Sequence, residues 1–264
     1  MSNELLDNLW DQYTDSNPHA SYIYNLFLEK GDSPLNDHIA LRTIDHPKVN
    51  IYVLAEAFTS KGYKICDDYD FKNKKLKAIH LEHSDKSLPK VFISQLLVDQ
   101  LSESLQQTMN DCVESISDEL LGNVDSLLLS GATWGDISYK KYQELLSESE
   151  YAAWFYVFGY RANHFTIFIN SLNSFQEVAD VNTFLKSNGI TLNDYGGEIK
   201  GSPEELLEQS STKSGVIEVD FSDGKHTIPC CYYEFAKRYK DSAENLYQGF
   251  VAKSADKIFE STNT

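Results

Sequence analysis

The sequence is poor in cysteine and in basic residues, and each shortage excludes a class of protein. Its four cysteines form no Cys-x-x-Cys pair and are too few for the disulfide framework of a small secreted domain. We therefore expect reduced thiols and a cytoplasmic protein. The 23 basic residues are outnumbered by 40 acidic residues, which gives a formal charge of −17. This charge disfavours nucleic acid and anionic membranes as partners, because clustered lysine and arginine bind both.

Long apolar runs and nucleotide-binding motifs are also missing. The longest aromatic and apolar run, residues 151–160, is much shorter than the roughly 20 residues of a membrane-spanning helix. The N-terminus lacks the basic and apolar regions of a signal peptide, so we expect neither export nor membrane insertion. No glycine-rich phosphate loop and no Gly-x-Ser-x-Gly elbow occurs. The sequence therefore predicts no nucleotide, no organic cofactor and no nucleophilic residue.

The apolar pattern predicts a globular α+β chain in which one order of elements occurs twice. Apolar residues make up 41% of the chain, which is enough for the core of a single domain, 1–264. Their spacing predicts helices within 1–31, a strand, a helix and three strands (a βαβββ module) within 36–95, and a helical insertion over 96–160. The same βαβββ order returns within 163–239.

A duplicated βαβββ module curls into a half-barrel, in which the first and last strands of each module present side chains to one cavity. In the second module we expect strands near 190–195, 215–221 and 228–236, with a short helix at 203–209. Residues 241–264 are then predicted to form an amphipathic C-terminal helix.

The segment Asn36–Ile44 combines a histidine and an arginine on one face of a predicted strand. Side chains alternate along a strand, so His38, Ala40 and Arg42 point to the same side. Burying an arginine is costly unless it meets an anion. The pair therefore favours an anion site beside a metal ligand, with Arg42 binding a substrate carboxylate.

Each module begins its first strand with a histidine, and these two histidines are candidate metal ligands. They are His38 and His164, and the last strand of the second module carries Glu234 among aromatic residues. A lone histidine at the head of a strand is more often a surface residue, but the repetition favours a shared role. Two histidines and a carboxylate are the composition of the facial triad, which typically holds ferrous iron; they also suit zinc. The counterpart of Glu234 in the first module is expected near Ser94 or Gln95.

The remaining candidates are two further histidines, which we expect outside the site, and several side chains that we expect in its wall. His80 and His83 point to opposite sides of a strand, and we expect both at the surface. Residues 196–197 and 209–212 are expected to turn the chain, with a polar loop over the cavity mouth as the alternative. The side chains assigned to the pocket wall are Gln95, Thr166, Ser210, Ser211 and Tyr232.

Four segments of the chain resemble one known family. The segments are His38-Ile-Ala-Leu-Arg42, Ser149–Phe155 running on to Asn163-His164-Phe165-Thr166, Cys231–Tyr239, and Tyr247–Phe250 continuing through Ile258–Thr262. Together they are similar to the 2-oxoadipate dioxygenase/decarboxylase family of the vicinal-oxygen-chelate superfamily. The likeness covers nearly the whole chain, which is a short form compared with better-described members.

The resemblance implies a vicinal-oxygen-chelate half-barrel and a ferrous enzyme. Such an enzyme converts 2-oxoadipate and O2 into 2-hydroxyglutarate and CO2 in lysine catabolism. His38, His164 and Glu234 match the family's iron ligands, and Arg42 matches its substrate-binding arginine.

Two alternatives stay open from the sequence. The first is a zinc or manganese enzyme of the same fold, a glyoxalase-like lyase or a hydrolase, because the triad also suits those ions. The second is a non-catalytic protein that sequesters a small acid, which needs Arg42 but no metal. The oligomeric state is left open as well.

Overall fold

Alternating apolar residues form ten strands within residues 4–251, the part of the chain that a computed structural model describes. Branched and aromatic residues are frequent in these strands, as expected for a sheet that faces a core. The strands are β1 Asn36–Ile44, β2 Lys64–Phe71, β3 Leu76–Glu82, β4 Lys90–Leu96, β5 Ala162–Phe168, β6 Lys200–Ser202, β7 Leu207–Ser211, β8 Val216–Phe221, β9 Gly224–Pro229 and β10 Tyr232–Arg238.

Polar residues cap several of the helices in the same part of the chain. The Asn50 side chain accepts hydrogen bonds from the amides of Tyr52 and Val53, and the Ser149 hydroxyl accepts one from Ala152. None of the described helices is long and apolar enough to cross a membrane. The α-helices are α1 Glu4–Ser16, α2 Pro18–Glu29, α3 Ile51–Thr59, α4 Glu103–Glu114, α5 Asp118–Leu121, α6 Val124–Leu128, α7 Tyr139–Glu148, α8 Glu150–Phe158 and α9 Val178–Ser187.

Eight strands form one curled sheet in the order β2-β3-β4-β1-β5-β10-β7-β6. The order is symmetric about the antiparallel pair β1 and β5. The first βαβββ module comprises β1, α3, β2, β3 and β4, and the second comprises β5, α9, β6, β7 and β10. The predicted α+β fold of two such modules in a half-barrel is therefore confirmed.

The two faces of the sheet have different roles. Phe165 on β5 and Tyr233 on β10 point to the convex face, where Trp10 and Tyr13 of α1 pack against them with ring centroids 5.0 to 6.2 Å apart. The alternate residues of the same strands point to the concave face. Because α1, α3 and α9 pack on the convex side, the concave side is left to form a cavity.

Two strands expected in the second module do not belong to its sheet. Residues 190–195 contain one isolated bridge, between Leu192 and Thr212. Residues 215–221 are extended, but β8 pairs with β9 in a separate hairpin. The run 228–236 is divided between β9 and β10, because a proline at the end of β9 cannot donate to a ladder.

The helix predicted at 203–209 was wrong. Pro203–Glu205 makes one 3-10 turn, which ends at Leu206 with φ +63°. β7 then begins and pairs with β10. The composition Pro-Glu-Glu-Leu-Leu favours a helix, but pairing with a central strand overrides that weak local preference.

The C-terminal helix predicted over 241–264 is not found in its described part. Residues 241–251 form turns and one bridge, and the remainder of the span lies outside the described residues. Arg238 donates to two backbone carbonyls of this segment, at 2.7 and 3.2 Å. These bonds place the ring of Phe250 against the concave face, 4.8 Å from the ring of His38.

Candidate metal centre and substrate pocket

The three side chains predicted to bind a metal converge on the concave face. Glu234 Oε2 lies 3.0 Å from Nε2 of His38 and 3.3 Å from Nε2 of His164. The ligand atoms of all three residues lie within 4.8 Å of one another, and none of the residues is more than 6% exposed. Adjacent ligands bound at ~2.1 Å to an octahedral ion lie roughly 3 Å apart. The observed spacing therefore fits a facial triad.

The residue before each histidine fixes the orientation of its ring. His38 Nδ1 donates to Asp37 at 2.9 Å, and His164 Nδ1 donates to Asn163 Oδ1 at 3.0 Å. Each bond directs the other nitrogen, Nε2, toward Glu234, as in many metal sites. Asp37 is held in turn by Arg238, which donates to both carboxylate oxygens at 2.6 and 2.8 Å.

Glu234 is held as an anion by its neighbours. Thr166 donates to Oε2 at 2.7 Å, and Gln209 donates to Oε1 at 3.0 Å. Burial alone raises the pKa of Glu234, but hydrogen bonds and charges from His164 and His38 lower it to about 2. The carboxylate is therefore ionised near neutral pH and suited to a cation.

Arg42 is a buried cation with unsatisfied donors. Its side chain is on the concave face and the residue is 3% exposed, yet Nε and Nη1 have no hydrogen-bond partner within residues 4–251. The guanidinium carbon lies 4.7 Å from the ring centroid of Tyr151 and 4.9 Å from that of Trp154, both on α8. Aromatic rings stabilise the charge only in part. An anionic ligand would supply the missing acceptors.

A cavity of about 30 Å³ is lined by the triad, Arg42, Phe250 and a few neighbours. Tyr232 lines the cavity as expected, and its ring stacks on His164 with centroids 4.5 Å apart. The Tyr232 hydroxyl has no hydrogen-bond partner in the described part of the chain.

Four of the five residues assigned to the pocket wall, all but Tyr232, do not line the cavity. One of them, Thr166, holds Glu234 by a hydrogen bond instead. Gln95 accepts the first amide of α3 at 3.0 Å, and Ser210 donates to Asn182 of α9 at 2.7 Å. Both predictions were wrong, because these side chains point to the convex face. Ser211 pairs with Glu234 between β7 and β10 but is not part of the wall. Residues 209–211 of the expected turn or polar loop belong to strand β7.

Strand register corrects the predicted counterpart of Glu234. In the second module Glu234 pairs with Thr166, two residues after the histidine. In the first module, the residue two positions after the histidine is Ala40, and it pairs with Phe92 of β4. The counterpart is therefore an aromatic side chain rather than the expected Ser94, and the first module adds no second carboxylate.

Asp37 offers a direct test of how the histidines are positioned. We expect Asp37→Ala to weaken iron binding by about 10- to 100-fold, the usual effect of losing such a partner. It should also lower the free energy of unfolding by about 3–5 kcal/mol, because the buried Arg238 loses its anion. Asp37→Asn gives His38 the same amide partner that Asn163 gives His164. Its iron affinity should stay within about tenfold of that of the unmodified protein. Anaerobic iron titration and denaturant unfolding measure both effects. Unchanged iron binding in Asp37→Ala would contradict this role.

Retention of a divalent metal should fall as the pH is lowered through the pKa of His38. Burial lowers the pKa of His38, but its bonds to Asp37 and Glu234 raise it above 6.5 overall, while burial lowers that of His164. One proton at His38 therefore competes with the ion, and affinity should drop about tenfold per pH unit below that pKa. Dialysis of iron-loaded protein from about pH 8 to 5, followed by metal analysis, measures this. Constant retention down to about pH 5 would contradict it.

The two modules form a half-barrel of the vicinal-oxygen-chelate type, with a group of side chains that could hold a metal in its cavity. The family model for 2-oxoadipate dioxygenase/decarboxylase matches residues 5–241. The chain belongs to the 2-oxoadipate dioxygenase/decarboxylase family, as the sequence resemblance predicts.

Three relatives show the extent of this similarity. A chloroplastic 2-oxoadipate dioxygenase/decarboxylase from Arabidopsis thaliana is 37% identical and is aligned over 98% of this chain and 76% of its own length. The hydroxyglutarate synthase of Oryza sativa, solved with 2-oxoadipate, is 35% identical over 98% of this chain and 90% of that one, with a TM-score of 0.89. A Shewanella frigidimarina protein, provisionally named a hydrolase, is 48% identical over 96% and 98%, with a TM-score of 0.91.

Proposed function

We propose that the protein is a ferrous enzyme that converts 2-oxoadipate and O2 into 2-hydroxyglutarate and CO2. The observation that carries this proposal is the buried triad His38, His164 and Glu234 in the same cavity as the unsatisfied guanidinium of Arg42. Family membership and the named substrate of the Oryza sativa relative support the same reaction. We also propose a role in lysine catabolism and, because all four cysteines are free, a cytoplasmic location.

The triad would bind the metal, and other residues of the cavity would bind and orient the substrate. Iron(II) held by the triad would supply the chemistry that activates O2 and a chelated 2-oxo acid. Arg42 would bind a substrate carboxylate through two parallel hydrogen bonds and so fix which carbon faces the triad. Among the described residues, the Tyr232 hydroxyl and the Asn163 amide nitrogen have no hydrogen-bond partner, and both could donate to substrate oxygens.

The C-terminal segment supplies one wall of the substrate cavity. Phe250 closes one side of the cavity and reaches it from the C-terminal segment, where a hydrogen bond from its amide to the Tyr69 hydroxyl helps to hold it. Displacement of this ring would open the cavity, and its return would exclude water from the bound substrate.

Oxygen uptake with product analysis tests the proposed reaction. Protein reconstituted with iron(II) without air and then given 2-oxoadipate should consume one O2 and release one CO2 and one 2-hydroxyglutarate per substrate. A chelator should abolish the reaction. Tight zinc binding without oxygen uptake would favour a lyase or hydrolase of the same fold. Binding of the acid that a chelator leaves unchanged would favour a non-catalytic binding protein.

A further inference from the structure

The described residues contain a second group of metal-binding side chains. Ligand atoms of Cys66, His80 and Glu82 lie within 4.8 Å of one another on β2 and β3, at one edge of the sheet. Thiolate, imidazole and carboxylate are all zinc ligands, and three protein ligands leave a fourth position for water. We propose that these residues form a second site, independent of the triad, for a zinc-like divalent cation.

A β-bulge places the thiol next to the other two ligands. β2 and β3 are antiparallel, and their register shifts between Ile65 and Asp67. Cys66 is thereby left outside the regular ladder, beside both His80 and Glu82. Bulges commonly redirect a side chain in this way and are frequent at functional sites.

His80 is oriented for coordination although the sequence placed it at the surface. The residue is 1% exposed, and its Nδ1 lies 2.8 Å from the hydroxyl of Tyr69. This contact leaves Nε2 facing Glu82, whose Oε1 lies 3.3 Å away. A ligand histidine whose second nitrogen is held by a neighbour is the usual arrangement in metal sites.

The charges around the site also favour a cation. The second oxygen of Glu82 accepts from Lys86 at 2.8 Å, so Oε1 is the oxygen directed at the other two ligands. Burial and the negative charges of Glu82 and Asp67 raise the pKa of the Cys66 thiol, so the thiol lies in negative surroundings. These charges would attract a divalent cation, which would displace the thiol proton on binding.

Cobalt(II) is a suitable probe, because thiolate coordination gives an intense near-ultraviolet charge-transfer band that imidazole and carboxylate ligands do not give. The titration is done without air on His164→Ala protein, so that the triad does not compete. We expect the band to saturate at one equivalent of cobalt. Cys66→Ser in this background should abolish the band and weaken binding at least about tenfold. Asp68→Asn, which removes an exposed charge from the same strand but no ligand, should leave both unchanged.

Glu82→Gln keeps the thiol and provides a second variant, in which the band should weaken and shift. The proposal is overturned if no thiolate band forms at saturating cobalt, or if the band persists in Cys66→Ser. Oxygen uptake by the iron-loaded Cys66→Ser protein is measured in parallel. It reports on the triad alone, so a failure of the second site and a failure of the proposed reaction are distinguishable.

Discussion

Replacing His164 with alanine will reduce oxygen uptake with 2-oxoadipate by more than about a hundredfold. Loss of a direct ligand should exceed the 10- to 100-fold effect of losing a supporting partner. The fold should survive, because the ring lies in a cavity and the backbone of β5 keeps its pairing with β1 and β10. Iron content after gel filtration should fall together with activity.

A histidine outside the cavity provides the control for this variant. His46 contacts Glu114 at 3.4 Å, and the two side chains are 18% and 57% exposed. His46→Ala should keep both iron and activity. If His164→Ala keeps iron and turns over at the rate of the unmodified protein, the assignment of His164 as a ligand is wrong.

Arg42→Met will weaken productive binding of 2-oxoadipate while iron stays bound. A hydrogen bond to a charged group contributes about 1.5–3 kcal/mol. We therefore expect KM to rise at least about tenfold, with a smaller rise for Arg42→Lys, which keeps the charge but not the two parallel donors. The free energy of unfolding should be unchanged or higher, because methionine removes a buried cation whose Nε and Nη1 have no hydrogen-bond partner within residues 4–251.

Arg161→Met is the matched control, since Arg161 is only half-buried and donates to Ser16 rather than lining the cavity. It removes the same charge and should leave KM unchanged. Steady-state oxygen uptake, iron analysis and denaturant unfolding separate the outcomes. Loss of iron or a large drop in stability in Arg42→Met would show that Arg42 supports the fold rather than the substrate.

The triad and the half-barrel were predictable because both depend on repeated local patterns. His38 and His164 begin equivalent strands of the two modules, and Glu234 lies where a carboxylate among aromatic residues needs a cation. The same repeat held an overlooked signal. Asp37 and Asn163 precede the two histidines, and each orients its neighbour.

The errors arose where a contact distant in sequence decides the outcome. Gln95 and Ser210 were each one position away from residues that line the cavity, and one position along a strand reverses the face. β7 was missed because pairing with β10 overrides a helix-like composition. The aromatic neighbours of Arg42 come from α8, and no local pattern links that helix to β1.

Anomalous diffraction at the iron absorption edge, from crystals loaded without air, tests the central claim most directly. We predict one strong peak within about 2.0–2.2 Å of His38 Nε2, His164 Nε2 and a carboxylate oxygen of Glu234. A peak that excludes any one of these three atoms, or iron bound elsewhere with the triad vacant, would contradict the account.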